Sequence, residues 1–181
     1  ERRDALVLGA KEDGLYRLMN LPYNRGSAGM MGGTLGTRTA FELASVVYEA
    51  RAQSPQRLPS ALVDVERLPE AVRRRTFVLS ETMGMMPGRG MAMRFLINGR
   101  EFDHTRVDDR VRLGDIEEWE YINNTDMDHP MHVHTNAFQR VGADGQAEPA
   151  WLDGVVVPAR GRARIRFRFT DFVGATVQHC H

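Results

Sequence analysis

The sequence predicts an all-β protein, an antiparallel β-sandwich or Greek-key barrel, and three observations carry that prediction. From Thr76 onward, eight short apolar stretches recur with turn residues between them. One of them, residues 162–169, alternates arginine with small or apolar residues at a strict period of two. No repeat or low-complexity tract interrupts the pattern.

Taken in order, residues 5–8 end at Gly9, residues 15–18 lead to Pro22, and residues 41–48 follow a glycine-rich loop. Each reads as a strand, but three strands are too few to close a sandwich. Residues 51–75 carry Pro55, Pro59 and Pro69 among charged residues and read as a linker, with a helical turn or two between Pro59 and Leu68. Strands are then expected at 77–79, 93–97, 118–122, 131–134, 138–141, 155–157, 162–169 and 176–179. In the arginine-alternating stretch the odd positions face the core, and the four arginines read as a solvated face.

Composition narrows the function classes. The chain has 181 residues, 42% hydrophobic and 27% charged, enough for a real core. Its 24 basic and 24 acidic residues cancel, which argues against a general nucleic-acid binder. No apolar run is long enough to span a bilayer. Lys11 is the only lysine, an arginine bias that fits either a G+C-rich genome or selection for heat. The single cysteine, Cys180, excludes an internal disulfide and any four-thiolate zinc or iron–sulfur site. The start, Glu1-Arg2-Arg3-Asp4, reads as the interior of a longer protein, and the end as a cut within a ligand-rich run.

Five of the six histidines fall in two groups, His129-Pro130-Met131-His132-Val133-His134 and His179-Cys180-His181. On a strand, His132 and His134 share one face and converge on one metal or metal pair. His129 precedes a proline and is held extended at the strand's mouth, free to aim at a different centre. In the second group His179 and His181 point one way and Cys180 the other. Two metal centres joined through consecutive residues follow. A thiolate with imidazoles suits copper, while an all-imidazole cluster suits copper or zinc. A covalent link between the two centres has a use only for a redox metal, which zinc is not.

These two motifs, in this order, resemble the last cupredoxin domain of a multicopper oxidase of the laccase and bilirubin-oxidase group. Flanking residues agree with the bacterial members: Phe95-Leu96-Ile97-Asn98-Gly99-Arg100, Gly114-Asp115-Ile116-Glu117-Glu118-Trp119, and Trp151-Leu152-Asp153 leading to Val156-Val157-Pro158. The resemblance implies a cupredoxin-like Greek-key fold over residues 76–181, cut short, after the linker 51–75. Residues 1–50 then resemble the end of a preceding cupredoxin domain. It also implies that His129 and Cys180 are ligands of a type 1 copper, His132 of a type 2 copper, and His134, His179 and His181 of a binuclear type 3 pair. The implied reaction is one-electron oxidation of a small donor, a phenol or a metal ion, coupled to reduction of dioxygen to water. The same resemblance implies a periplasmic or secreted enzyme.

The departures from the family are equally specific. Its motif continues with another histidine and an axial Met or Leu for the type 1 copper, and its trinuclear cluster takes two HxH pairs from a first domain. This sequence contains neither, so the chain alone is expected to be inactive, to hold copper or zinc weakly, and to self-associate where its missing N-terminal cupredoxin domains would pack. A non-catalytic copper-binding cupredoxin module is the competing reading. A binuclear zinc hydrolase is weaker, because Thr135-Asn136-Ala137-Phe138 supplies no carboxylate ligand. A Cys180 nucleophile with His179 as base is weaker still, since strand neighbours point apart. His104 reads as structural. Met83, Met85, Met86, Met91 and Met93, with Met30 and Met31 in a second glycine-rich loop, read first as flexible apolar packing and second as soft Cu(I) ligands. Asp126 and Asp128 read as supports for the metal ligands or as turn formers.

Overall fold

The computed structural model describes residues 14–27, 34–37, 39–48, 60, 63–86, 88 and 90–180. These divide into two compact units, Glu1–Asn24 with Gly36–Val63, and Arg25–Leu35 with Asp64–His181. Among the described residues there are strands and no helix. None is therefore a helix long and apolar enough to cross a membrane. The expected strand at 5–8 and the methionines at 30 and 31 lie outside the described residues.

In the smaller unit, β1 (Gly14–Asn20) pairs antiparallel with β4 (Phe41–Tyr48), with a bulge at Leu18/Met19. Leu15 stands opposite Val47, and both are more than half exposed. A two-stranded ribbon has no second layer in which to bury such residues. A separate short pairing joins β2 (Tyr23–Ser27) to β3 (Thr34–Thr37).

The larger unit is a two-layer sandwich. One layer has the order β6-β5-β7-β11-β9 and the other β10-β8-β12. The strands are β5 (Arg73–Met86), β6 (Gly90–Ile97), β7 (Ile116–Asn123), β8 (His129–Val133), β9 (Phe138–Arg140), β10 (Gly154–Val157), β11 (Arg162–Arg168) and β12 (Gln178–Cys180). All eight strands expected after Thr76 are present. Residues 63–70 are irregular, so the helical turn expected there does not form over the described part. One pairing departs from the antiparallel expectation: β5 runs parallel to β7, from Arg73 opposite Glu117 to Leu79 opposite Asn123. A parallel neighbour needs a crossover connection, here supplied by β6 and the long loop that follows it.

The period of two decides what is buried. Phe77 and Leu79 of β5, Trp119 and Tyr121 of β7, and Ile165 and Phe167 of β11 face Met131, Val133, Val155 and Val157 of the other layer. Phe77, Trp119, Phe167 and Phe138 form a continuous aromatic column, with ring centroids 4.9, 4.7 and 5.4 Å apart. Each such buried ring contributes about 2 kcal/mol or more. Tyr121 reaches across the layers, its hydroxyl donating to Gln178 Oε1 at 2.6 Å. Burial raises the Tyr121 pKa, so this hydroxyl keeps its proton.

The arginine face of β11 is not simply solvated, which corrects the sequence expectation. Arg166 is buried at 3% exposure. Its Nη2 donates to Glu118 Oε2 at 2.6 Å, and its Nη1 donates to the Leu68 and Pro69 carbonyls at 3.0 Å each. Gln139, also buried, grips the same segment by accepting from Leu68 N–H and donating to the Glu66 carbonyl. Residues 66–69 therefore lie over what would otherwise be a wet strand face. A buried charge survives there because it is both paired and hydrogen-bonded.

Candidate metal centre

The site is built on β8, the middle strand of the smaller layer. His129, Met131 and Val133 point toward the core, while His132 points to the opposite face, as alternation requires. In the β8–β12 ladder His179 stands opposite His132 and Cys180 opposite Met131. Directly opposite residues share a face. The thiol therefore joins His129 on the core side, and His179 joins His132 and His134 on the other.

On the core side, His129 Nδ1 lies 3.2 Å from Cys180 Sγ. The other ring nitrogen, Nε2, is 2.8 Å from the buried Thr125 Oγ1. With Nε2 protonated and donating to Thr125, Nδ1 keeps its lone pair directed at the sulfur. Thr125 is itself fixed, because its hydroxyl donates to Asn123 Oδ1 at 2.8 Å and its N–H donates to the same oxygen at 2.9 Å. Asn123 Nδ2 donates to the carbonyls of Met127 and Pro158 at 2.7 and 2.9 Å. The ring edge of Phe95 closes on His129 at 6.0 Å between centroids.

Loss of water around His129 lowers its pKa, helped by the Arg25 charge and opposed by Asp128, so the imidazole is neutral and available as a ligand. Cys180 is exposed as a residue at the end of its strand. Its sulfur is tucked against His129, and desolvation there raises the thiol pKa while Arg25 pulls the other way.

On the far side, ligand atoms of His132, His134 and His179 all lie within 4.8 Å of one another. His134 Nε2 and His179 Nε2 are 2.9 Å apart. His132 Nδ1–H donates to the Asp153 carbonyl at 2.6 Å, which fixes the tautomer and makes Nε2 the nitrogen that would meet a metal. Thr135, just after His134, takes a left-handed φ of 74° and turns the chain out of the strand. His134 N–H donates to the Val177 carbonyl at 3.0 Å, holding this edge to the start of β12.

The donor set fits two kinds of metal site. One pairs a thiolate with an imidazole, and the other gathers imidazoles alone, open on the side where His134 is exposed. His181 lies outside the described residues. His104 sits in an exposed turn and takes no part in the imidazole group. Asp126 and Asp128 lace the loop before His129 to the 158–160 turn. Asp126 accepts from Arg160 Nε at 2.7 Å, and Asp128 from Ala159 N–H at 2.8 Å. Asn123, Thr125 and Arg25 were not singled out from the sequence. For the first two the signal was the Asn-Asn-Thr-Asp turn immediately ahead of the histidine motif; for Arg25 there was none.

The methionines are placed by the β5–β6 hairpin. Met83 pairs with Met93 and Met85 with Met91, so the four share one face of the ribbon. Met83, Met85 and Met91 are more than half exposed.

Fold and donor set together define a cupredoxin-type, all-β copper domain. The family model for multicopper oxidases matches residues 72–181, and the chain belongs to that family, whose members use copper centres. It is 32% identical over 100 residues to the multicopper oxidase mco of Staphylococcus haemolyticus, covering 51% of this chain and 22% of that protein. It is 32% identical over 121 residues to the multicopper oxidase LPR1 homolog 1 of Oryza sativa, covering 66% of this chain and 20% of that protein. Among solved structures, the multicopper oxidase of Campylobacter jejuni, described as a metallo-oxidase, superposes with a TM-score of 0.66 at 26% identity. That match covers 95% of this chain and 38% of the other. The chain thus spans about a fifth of the length of these curated relatives.

Proposed function

We propose that this chain supplies part of a laccase-like multicopper oxidase, with His129 and Cys180 on an electron-accepting type 1 copper and His132, His134, His179 and His181 on a trinuclear cluster. When bound, copper would accept single electrons from a donor at the first site and deliver four of them to dioxygen at the second, giving water. One observation carries the reading: β12 places a thiol on one face and an imidazole on the other, in adjacent residues. The peptide between His179 and Cys180 is then a covalent route between the two centres. Thr125 and the Asp153 carbonyl hold the imidazoles of His129 and His132 in the tautomers that ligation needs.

The remaining ligands are to come from other segments of the same polypeptide, and the exposed apolar ribbon of β1 and β4 is where a neighbouring domain is to pack. On the family resemblance we place the intact protein in the periplasm or outside the cell. Phenols and metal ions are the donors of choice, and the exposed methionines of the β5–β6 hairpin favour a soft metal ion such as Cu(I).

The test is copper loading of the full-length protein followed by visible spectroscopy and oxygen consumption. An intense thiolate-to-copper band, lost in Cys180→Ser, is expected together with donor-dependent oxygen uptake. A band without oxygen uptake supports the non-catalytic copper module instead. Zinc-dependent hydrolysis without any band sinks the oxidase.

A further inference from the structure

Residues 25–27, the end of β2, form a strap across the loop that leads into His129, and they lie ahead of the stretch 72–181 that the family model matches. They run antiparallel to residues 126–128: Asp128 N–H donates to the Arg25 carbonyl at 2.6 Å, and Ser27 N–H donates to the Asp126 carbonyl at 3.0 Å. Gly26 and Met127 face each other between these two bonds, as the non-hydrogen-bonded pair in which antiparallel backbones come closest. A Cβ on Gly26 would stand 2.0 Å from the Asp126 carbonyl oxygen and 2.9 Å from Met127 Cα. Only glycine fits there without a shift, and the φ of +97° is one it adopts freely. Arg25 closes the strap a second time, its Nη2 donating to the Asp128 carbonyl at 3.2 Å. The 158–160 turn grips the same loop through other atoms. Arg160 N–H donates to the Thr125 carbonyl at 3.1 Å, Arg160 Nη1 to the Asn124 carbonyl at 2.9 Å, and Ala159 N–H to Asp128 Oδ1 at 2.8 Å.

We propose, resting on the copper reading above, that Gly26 and Arg25 are positioning residues for His129 on the thiolate side, acting through the loop they clamp. Thr125 and His129 stand at the two ends of residues 126–128, and the 2.8 Å contact between Thr125 Oγ1 and His129 Nε2 spans the clamped segment. Moving those three residues shifts both ends of that contact. The imidazole then loses the hydroxyl that orients it, and with it the alignment of Nδ1 on the Cys180 sulfur 3.2 Å away. The strap ties the loop to a segment 103 positions earlier in the chain, which the 158–160 turn does not do. Neither strap residue needs to touch the metal, because groups that orient a ligand change metal affinity about tenfold or more.

Copper-loaded full-length protein is the material for the test, read through the thiolate-to-copper band and by competition with a Cu(II) chelator. Gly26→Ala is expected to weaken copper at the thiolate site about tenfold and to shift the band maximum. A loss of stability alone would lower the folded fraction and leave the band of the folded molecules where it was. Arg25→Met keeps the backbone clamp and removes only the second tie; it decides the matter if Gly26→Ala does not fold, and several-fold weaker binding is expected. Removing a positive charge would by itself favour a bound cation, so weakening reports placement rather than charge. Ser27→Ala keeps both backbone bonds and is expected to match the unsubstituted protein; a loss equal to that of Gly26→Ala overturns the proposal. So does an unchanged affinity and band in Gly26→Ala, or in Arg25→Met where that variant decides. Either result leaves the copper reading standing. Absence of the band in the unsubstituted protein sinks the copper reading, and this role with it.

Discussion

His132 and His179 stand directly opposite each other across the β8–β12 ladder, with ring centroids 5.5 Å apart. Each ring is carried by its own strand, and His132 is further held by the Asp153 carbonyl. Replacing His179 removes the 2.9 Å contact to His134 and leaves His132 anchored. His179→Val is expected to lower divalent-metal affinity at the imidazole site at least tenfold without changing the thermal midpoint of the metal-free protein by more than a few degrees. Calorimetric titration with Zn(II) measures it, and undiminished affinity would show that His179 is no ligand.

Thr125 is buried between His129 and Asn123, and its hydroxyl serves both. Thr125→Val conserves shape, strands the His129 ring N–H and leaves Asn123 Oδ1 with the backbone N–H of residue 125. A loss of about 1–3 kcal/mol in unfolding free energy is expected, with tenfold or greater weakening of copper at the thiolate site. Thr125→Ser restores the hydroxyl and recovers most of both in urea titration.

The methionine face of the β5–β6 hairpin offers a direct contrast. Exchanging Met83, Met85, Met91 and Met93 for leucine preserves apolar volume and removes every thioether on that face. Competition titration with a Cu(I) chelator is expected to show one fewer Cu(I) equivalent bound, with oxidation of phenols unaffected. Unchanged Cu(I) binding leaves only the packing role for this ribbon.

Acid stability turns on Glu117, which is 1% exposed. Burial alone would raise its pKa. Arg75 donates to it from Nε at 2.5 Å and Nη2 at 2.9 Å, and Trp119 from Nε1 at 2.9 Å, and together they hold it below its ordinary value of 4.5. A carboxylate whose pKa is lower in the folded state contributes stability above its unfolded value and loses it as pH falls through the folded one. The urea midpoint is expected to decline below about pH 4.5, less steeply in Glu117→Gln. Identical slopes would remove Glu117 from the account. Arg75→Met, which leaves the buried carboxylate with only Trp119 Nε1 and the exposed Arg73 at 3.8 Å, is expected to cost about 1–3 kcal/mol at neutral pH.

The exposed faces of Leu15 and Val47 bear on the state of the chain in isolation. Sedimentation velocity on this polypeptide alone is expected to show concentration-dependent association, reduced by Leu15→Lys with Val47→Glu. A monomer at all concentrations would contradict it.

Much of this was legible in the chain because strands announce themselves locally. The alternation in β11 and the apolar triplets of β5 and β10 are period-two patterns that need no partner to be seen. The facing of His132 and His134 is equally local. What the sequence hid was long-range. Nothing near residue 73 says that β5 lies parallel to β7, because parallel pairing is decided by the crossover rather than by a turn. Arg166 looked like its three neighbours, and the carbonyls of Leu68 and Pro69 that cover it lie 98 and 97 positions away. Arg25 sits 103 positions from the carbonyl it grips, in a stretch read as belonging to another domain.

The hydrogen bond from Tyr121 to Gln178 has a further consequence. β12 is three residues long, and so short a ladder has little to stop it sliding. A slip of a single residue would carry the sulfur to the imidazole side and bring a histidine into the core, exchanging the two chemistries while leaving the fold unchanged. By anchoring Gln178 to a buried tyrosine of the opposite layer, the protein sets the reading frame of its own metal ligands.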